Sequence, residues 1–273
     1  MQIYFTRLLL ILFLGLPLLA NADIFQWRDS NGDIHYSDKA VAEATLVQVK
    51  AGHSFYKVKT IYDGDTVVLE DGQKVRLLGI NTPEVAHRGQ GGDAGGEAAK
   101  RWLQEKLANT KVRLELDAEK TDKYGRTLAH LLTEDKGHIN LQLVAAGLAS
   151  VTIHPPNLLY VDELVAAEER AQAASLGIWQ LPEYAPIKVS DLADAKSGWV
   201  RVVGRPKAIR QSRKFVYVEF SEAFDIRIER QSQQLFPELS DYQGKMLEVR
   251  GWLNRSKGHV SMLVRHPSAI KRY

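Results

Sequence analysis

Three short strings in a chain of 273 residues put charged and oxygen-bearing side chains at turns between β-rich runs. "DGDT" occupies 63–66, Arg76 is followed at 81–84 by "NTPE", and "TDKYGR" occupies 121–126. Singly, each has a purely structural reading: a hairpin turn, a strand exit, and a charged turn built on Gly125. Together they meet one chemical demand. Cleaving a phosphodiester needs a hard cation or arginines to offset charge on the pentavalent phosphorus, and a base to take a proton from water. Arg76 and Arg126 can offer planar bidentate forks to phosphate oxygens, as lysine cannot. Asp65, the Asn81 side-chain oxygen and a backbone carbonyl near Thr82 are the oxygen-only ligands that calcium prefers. Glu84 is the carboxylate that would act on the water, and Pro83 limits backbone freedom just before it. The eight histidines are scattered without zinc-ligand spacing. With no cysteine, thiolate metal sites, thiol catalysis and disulfides are excluded.

The segments around these strings must hold them in place. "SFYKVKTIY", "DTVVLED" and "QKVRLLGI" are short β-rich runs separated by "DGD" and "DGQ", the pattern of a meander with tight turns. "GEAAKRWLQEKLAN" has helical spacing at Ala98, Trp102, Leu103 and Leu107. "KVRLEL" and "RTLAHLLTE" return to strand character. "INLQLVAAGLAS" and "VDELVAAEERAQAASLGIW" read as helices, the second stopped at Gly177. Three strands, a helix, two strands and two helices fit a five-stranded barrel of the oligonucleotide-binding (OB) type, with helices packed on it. The fold class expected is therefore mainly β with packed helices (α+β).

Through "YDGDTVVLEDGQKVRLLGINTPE", "EAAKRWLQE", "TDKYGRTLAHL", "LVAAGLASV" and "GIW", the stretch from about Val58 to Trp179 resembles the staphylococcal nuclease (thermonuclease) family. The resemblance covers close to half the chain. It implies an OB-fold barrel with three helices and a Ca²⁺-dependent nuclease acting on DNA and RNA with little sequence preference, leaving 3′-phosphate ends. It also implies that Asp65 is a metal ligand, that Arg76 and Arg126 bind and stabilise the scissile phosphate, and that Glu84 is the general base. Family members often carry aspartate where this chain has Asn81. The amide keeps an oxygen ligand but loses a negative charge, so weaker metal binding is expected. The tyrosines of the family's nucleotide pocket have no clear match in "TIHPPNLLY", where His154 and Tyr160 are the candidates.

The remaining chain is organised around this domain, expected at 45–182. "MQIYFTRLLLILFLGLPLLANA" carries Arg7, an apolar run from Leu8 to Leu19, and Ala20-Asn21-Ala22. That is the layout of a signal peptide cleaved after residue 22, which predicts a periplasmic or secreted protein with no stable membrane insertion. Residues 23–44 form an expected hairpin module turning at "DSNG". Asp29, Asn31 and Asp33 suggest a calcium loop, but Ile34 stands where its glycine belongs and Ala40 where its glutamate belongs. Residues 183–196, with mixed polar composition, read as a linker. From Ser197 to Tyr273 the chain carries a net +8 against −5 for everything before it. This segment is expected to form a second, small OB-like barrel. Its cations interleave with Trp199, Phe215, Tyr217, Phe224 and Trp252, either as stacking platforms for nucleic acid or as core residues at strand period. The partners expected are DNA and RNA, with the protein itself a monomer.

Overall fold

A computed structural model describes residues 24–41, 43–47, 54–86, 91–195 and 198–273. The expected signal peptide lies outside these residues. The chain divides into two compact units, residues 1–53 and 54–273. In the first, β1 (Ile24–Arg28) and β2 (Ile34–Ser37) form the antiparallel hairpin that "DSNG" predicts. The Asp29 carboxylate closes the turn by accepting from the Asn31 and Asp33 N–H groups, so it serves the turn itself. A third strand, β3 (Thr45–Val47), pairs with the other edge of β1, so the module runs past residue 44.

The second unit holds a closed barrel, a two-stranded sheet and a C-terminal sheet, with two separate hydrophobic cores. Strands β4 (Tyr56–Ile61), β5 (Thr66–Leu69), β6 (Lys74–Leu77), β8 (Lys111–Thr121) and β9 (Thr127–Thr133) close a barrel in the order β4-β5-β6-β9-β8. The two-residue strand β7 (Ile80–Asn81) lies outside that ring. It pairs instead with β10 (Ser150–Val151), joining Asn81 to Ser150. Three helices cover the barrel: α1 (Gly96–Leu107), α2 (Ile139–Ala145) and α3 (Val161–Ala173). They contribute Leu103, Leu143 and Leu164 to a core shared with Val67, Leu77 and Leu131 of the strands. The OB-type barrel with three helices is thus present as expected.

Two buried polar residues fix the barrel end on which the motifs converge. Asn140 accepts from the Leu131 N–H at 3.0 Å and donates to the Leu78 carbonyl at 2.9 Å, stitching α2 to the exit of β6. Glu168 of α3 accepts from the Val151 N–H at 2.7 Å, which holds β10 and, through it, β7.

The C-terminal sheet follows the path β11-β12-β16-β17-β15-β14-β13. Its strands are β11 (Ile187–Lys188), β12 (Trp199–Gly204), β13 (Ala208–Gln211), β14 (Phe215–Ser221), β15 (Phe224–Glu229), β16 (Leu247–Ser256) and β17 (His259–Leu263), with β18 (Ile270–Arg272) added on β16. The pairings make an open path, so the second, small OB-like barrel expected from sequence is not shown by them. The expected linker is built into this fold. Residues 182–184 and 189–194 form 3-10 turns, and β11 between them pairs in parallel with β12. Among the described residues no helix is long and apolar enough to cross a membrane.

Candidate active site

Barrel register brings the three strings together. Arg76 in β6 lies opposite Thr66 of β5, so the "DGDT" turn sits beside its guanidinium. On its other side β6 runs parallel to β9, with Val75 opposite Thr127, and this sets Arg126 at the same barrel end. Gly64 is required by packing. A Cβ there would come within 2.6 Å of both the Thr82 side chain and Ala99 of α1, so the turn can press against "NTPE" only without a side chain.

Arg76 is the organiser of the site. One terminal nitrogen donates to the Leu77 and Ile80 carbonyls at 2.7 and 3.0 Å. The other pairs with the Asp65 carboxylate at 2.9 Å and donates to Asn81 Oδ1 at 3.2 Å. Asp65 is buried and also accepts from the Thr82 N–H at 2.9 Å and the Thr66 hydroxyl at 3.1 Å. Burial is the main reason its carboxyl is raised to about 6; Asp63 adds to the rise, while Arg76 opposes it. The Asn81 amide nitrogen donates to the Thr82 carbonyl at 3.0 Å.

Arg126 is aimed from its own turn. Asp122 accepts from the Arg126 N–H at 3.0 Å and from its Nε at 2.8 Å. A longer bond of 3.4 Å links Arg126 to the Thr66 hydroxyl. Gly125, at φ 76°, supplies the left-handed residue that closes the turn. Glu84 is exposed at the rim, with its N–H on the Asp93 carboxylate at 3.3 Å. Its carboxyl is raised, first by desolvation and then by Asp63 and Asp93, against the lowering pull of Arg76 and Arg126. Glu84 therefore shares one electrostatic environment with both arginines. All six residues singled out from sequence (Asp65, Arg76, Asn81, Thr82, Glu84 and Arg126) meet at this end.

Sequence reasoning passed over Asp63 and Asp122, although both stand in the quoted strings. Asp63 accepts from the Asp65 N–H at 2.9 Å and Asp122 orients Arg126. Their signal is the short carboxylate spacing, which forms a turn and a fork together. Of the two nucleotide-pocket candidates, Tyr160 packs 4.9 Å from the His130 ring and donates to Glu115, as part of a separate cluster. His154 lines a groove with Trp199, Arg250 and Trp252, and Arg76 is among the charges acting on it.

The donor set suits a hard cation. Among the described residues no three His, Cys, Asp or Glu gather into a metal cage, so amide and carbonyl oxygens would have to complete a coordination shell. Asp65, Asn81 and Thr82 supply such oxygens. The buried Thr82 hydroxyl has no hydrogen-bond partner, and the carboxyls of Asp65 and Glu84 are raised partly by neighbouring carboxylates. Surplus negative charge beside an unsatisfied oxygen is what a bound cation would relieve.

A five-stranded OB-type barrel with three helices, ending in two positioned arginines and clustered carboxylates, defines an anion-handling domain of the nuclease type. Comparison with known proteins is specific. Residues 74–181 match the family model described as staphylococcal nuclease homologue. A thermonuclease of Staphylococcus intermedius is 41% identical over 128 residues, 46% of this chain and 76% of the relative. A thermonuclease of Staphylococcus hyicus is 36% identical over 132 residues, 47% of this chain and 78% of the relative. Endonuclease YncB of Bacillus subtilis is 33% identical over 171 residues, 57% of this chain and 81% of the relative. The chain belongs to the staphylococcal nuclease family. Residues 11–54 match a second family model, a domain of unknown function, DUF4124.

Proposed function

We propose that the protein is an exported, Ca²⁺-dependent nuclease that hydrolyses phosphodiester bonds of DNA and RNA with little sequence preference, its C-terminal sheet helping to hold the strand. The observation that carries the reading is the convergence of Arg76, Arg126 and Glu84 around buried Asp65. Thermonucleases and an endonuclease among the relatives support it. Export rests on the first 22 residues alone.

In the proposed reaction Glu84 takes a proton from water as the water oxygen attacks phosphorus. The opposite P–O bond breaks, and the leaving oxygen is protonated from solvent. Arg126, held through Nε by Asp122, directs its other nitrogens at the phosphate oxygens. Arg76, whose terminal nitrogens are taken by Leu77, Ile80, Asp65 and Asn81, adds fixed positive charge beside them. Both guanidinium groups are fixed before substrate arrives, so little reorganisation accompanies the build-up of charge. Asp65, Asn81 Oδ1 and the Thr82 carbonyl would hold the calcium, which supplies charge neutralisation at the phosphoryl oxygens.

The test uses full-length mature protein with single- and double-stranded DNA and with RNA, in calcium and in chelator. Cleavage is expected only with calcium, and Glu84→Gln should lower it by about 10²–10⁴-fold while leaving binding intact. Binding without chelator-sensitive cleavage would overturn the enzyme reading in favour of a nucleic-acid-binding envelope protein.

A further inference from the structure

The catalytic rim opens onto the C-terminal sheet. A cleft of about 810 Å³ is lined by Asn81 and Glu84 on the barrel side and by Trp199 and Trp252 on the sheet side, with Tyr184 and Asp93 between them. Trp199 and Trp252 stand opposite each other on β12 and β16, so both side chains face the same way. Their surroundings differ. Trp199 packs with Tyr184 at 5.8 Å and Trp179 at 6.3 Å, wedged between the sheet and the barrel's C-terminal turn. Trp252 is 47% exposed, the only exposed tryptophan among the described residues. A large apolar ring left open beside a hydrolytic site asks for a flat apolar ligand.

Charge narrows the choice. Glu84, Asp93 and Glu183 line the cleft, and no described lysine or arginine does. Away from the Arg76 and Arg126 end, a phosphate would be repelled there, whereas an uncharged base with amino groups would find acceptors. Cations lie on the other side of Trp252. A shallow groove shares both tryptophans with the cleft and adds His154, Arg250, Arg265 and His266. Arg250 is committed to Glu168, while Arg265 is exposed and makes no ion pair with any described residue. His154, lowered to about 4 by burial, Arg265 and Arg76, stays neutral there. The aromatic face thus separates an acidic cleft, roomy enough for a base, from a groove with an available guanidinium.

We propose that the cleft is a nucleobase subsite, in which a base adjoining the scissile linkage of a single strand stacks on Trp252 while Arg265 meets a neighbouring phosphate. A paired base cannot reach such a face without leaving its duplex, so the subsite favours single-stranded DNA or RNA. Its place beside the cut rests on the nuclease reading; stacking itself is measurable without cleavage.

The full chain is therefore tested in two ways. Binding is read by fluorescence anisotropy in calcium on a Glu84→Gln background, using a labelled single-stranded oligodeoxynucleotide and the same strand with abasic central positions. Trp252→Ala should weaken the ordinary strand by about tenfold and the abasic strand hardly at all, and Trp252→Phe should restore most of the loss. With Glu84 present, Trp252→Ala should raise KM on the ordinary strand and leave kcat nearly unchanged. Equal losses on both strands, or no loss, would overturn the subsite. If the chain cleaves nothing but shows the strand-specific loss, the nuclease reading falls and stacking stands. If it cleaves and Trp252→Ala is silent, the reverse holds.

Discussion

Arg76–Asp65 and Arg250–Glu168 are both buried arginine–carboxylate pairs in which the carboxylate also accepts a backbone N–H. Only their settings differ. Glu168 is fully buried between α3 and β16, and Arg201 is the other cation acting on it. Asp65 stands under an open rim, where Asp63 adds negative charge to its surroundings. A sealed, balanced pair locks two parts of the molecule together. A pair with a further carboxylate beside it carries more negative charge than its arginine offsets, which is the setting the proposed calcium site calls for. The two are linked, because Glu168 holds Val151, and its neighbour Ser150 pairs with Asn81.

The strongest test of this contrast is on the sealed pair. Arg250→Ala should strand Glu168 and destabilise the full chain by about 3–5 kcal/mol, read by denaturant unfolding. A loss below about 1 kcal/mol would mean that the seam is no lock. On the open side, Arg126→Ala should lower kcat by about 10²–10³-fold with little change in unfolding free energy. A large stability loss instead would make Arg126 a structural partner of Asp122.

A third buried group sharpens the comparison through pH. Burial and neighbouring His138 lower His130 to about 4, so the folded state binds fewer protons than the unfolded one between that value and 6.5. Its contribution is present above pH 6.5 and is lost as pH falls towards 4, on the order of 2–3 kcal/mol. His130→Asn should flatten the measured stability–pH curve in that window. The smallest effect expected is at the rim. Asn81→Asp should tighten calcium binding several-fold in a calorimetric titration, because ligand charge tunes affinity. Unchanged affinity would remove residue 81 from the ligand set.

Much of the barrel was legible because its signals are local. Asp-Gly turns separate alternating runs, and apolar residues recur at helical spacing in "EAAKRWLQEKL". The six candidate residues could be singled out by type, since few chemistries want arginines, a carboxylate and oxygen ligands at neighbouring turns. The C-terminal aromatics were not separable in the same way. Phe224 is buried in the second core, and Phe215 and Tyr217 pack on each other 6.2 Å apart. Only Trp199 and Trp252 line the cleft. All five sit in β-rich runs, and strand period gives a face without saying what that face meets.

By itself the sequence determined the barrel's turns, the candidate side chains and the uneven charge of the residues before and after 197, because each is a property of adjacent residues. Tertiary structure alone decided that Glu168 is sealed by an arginine 82 positions further along the chain, and that Trp252 faces Glu84 across a cleft. Those relations depend on sheet register and on how one core packs against the other, and no local pattern encodes either.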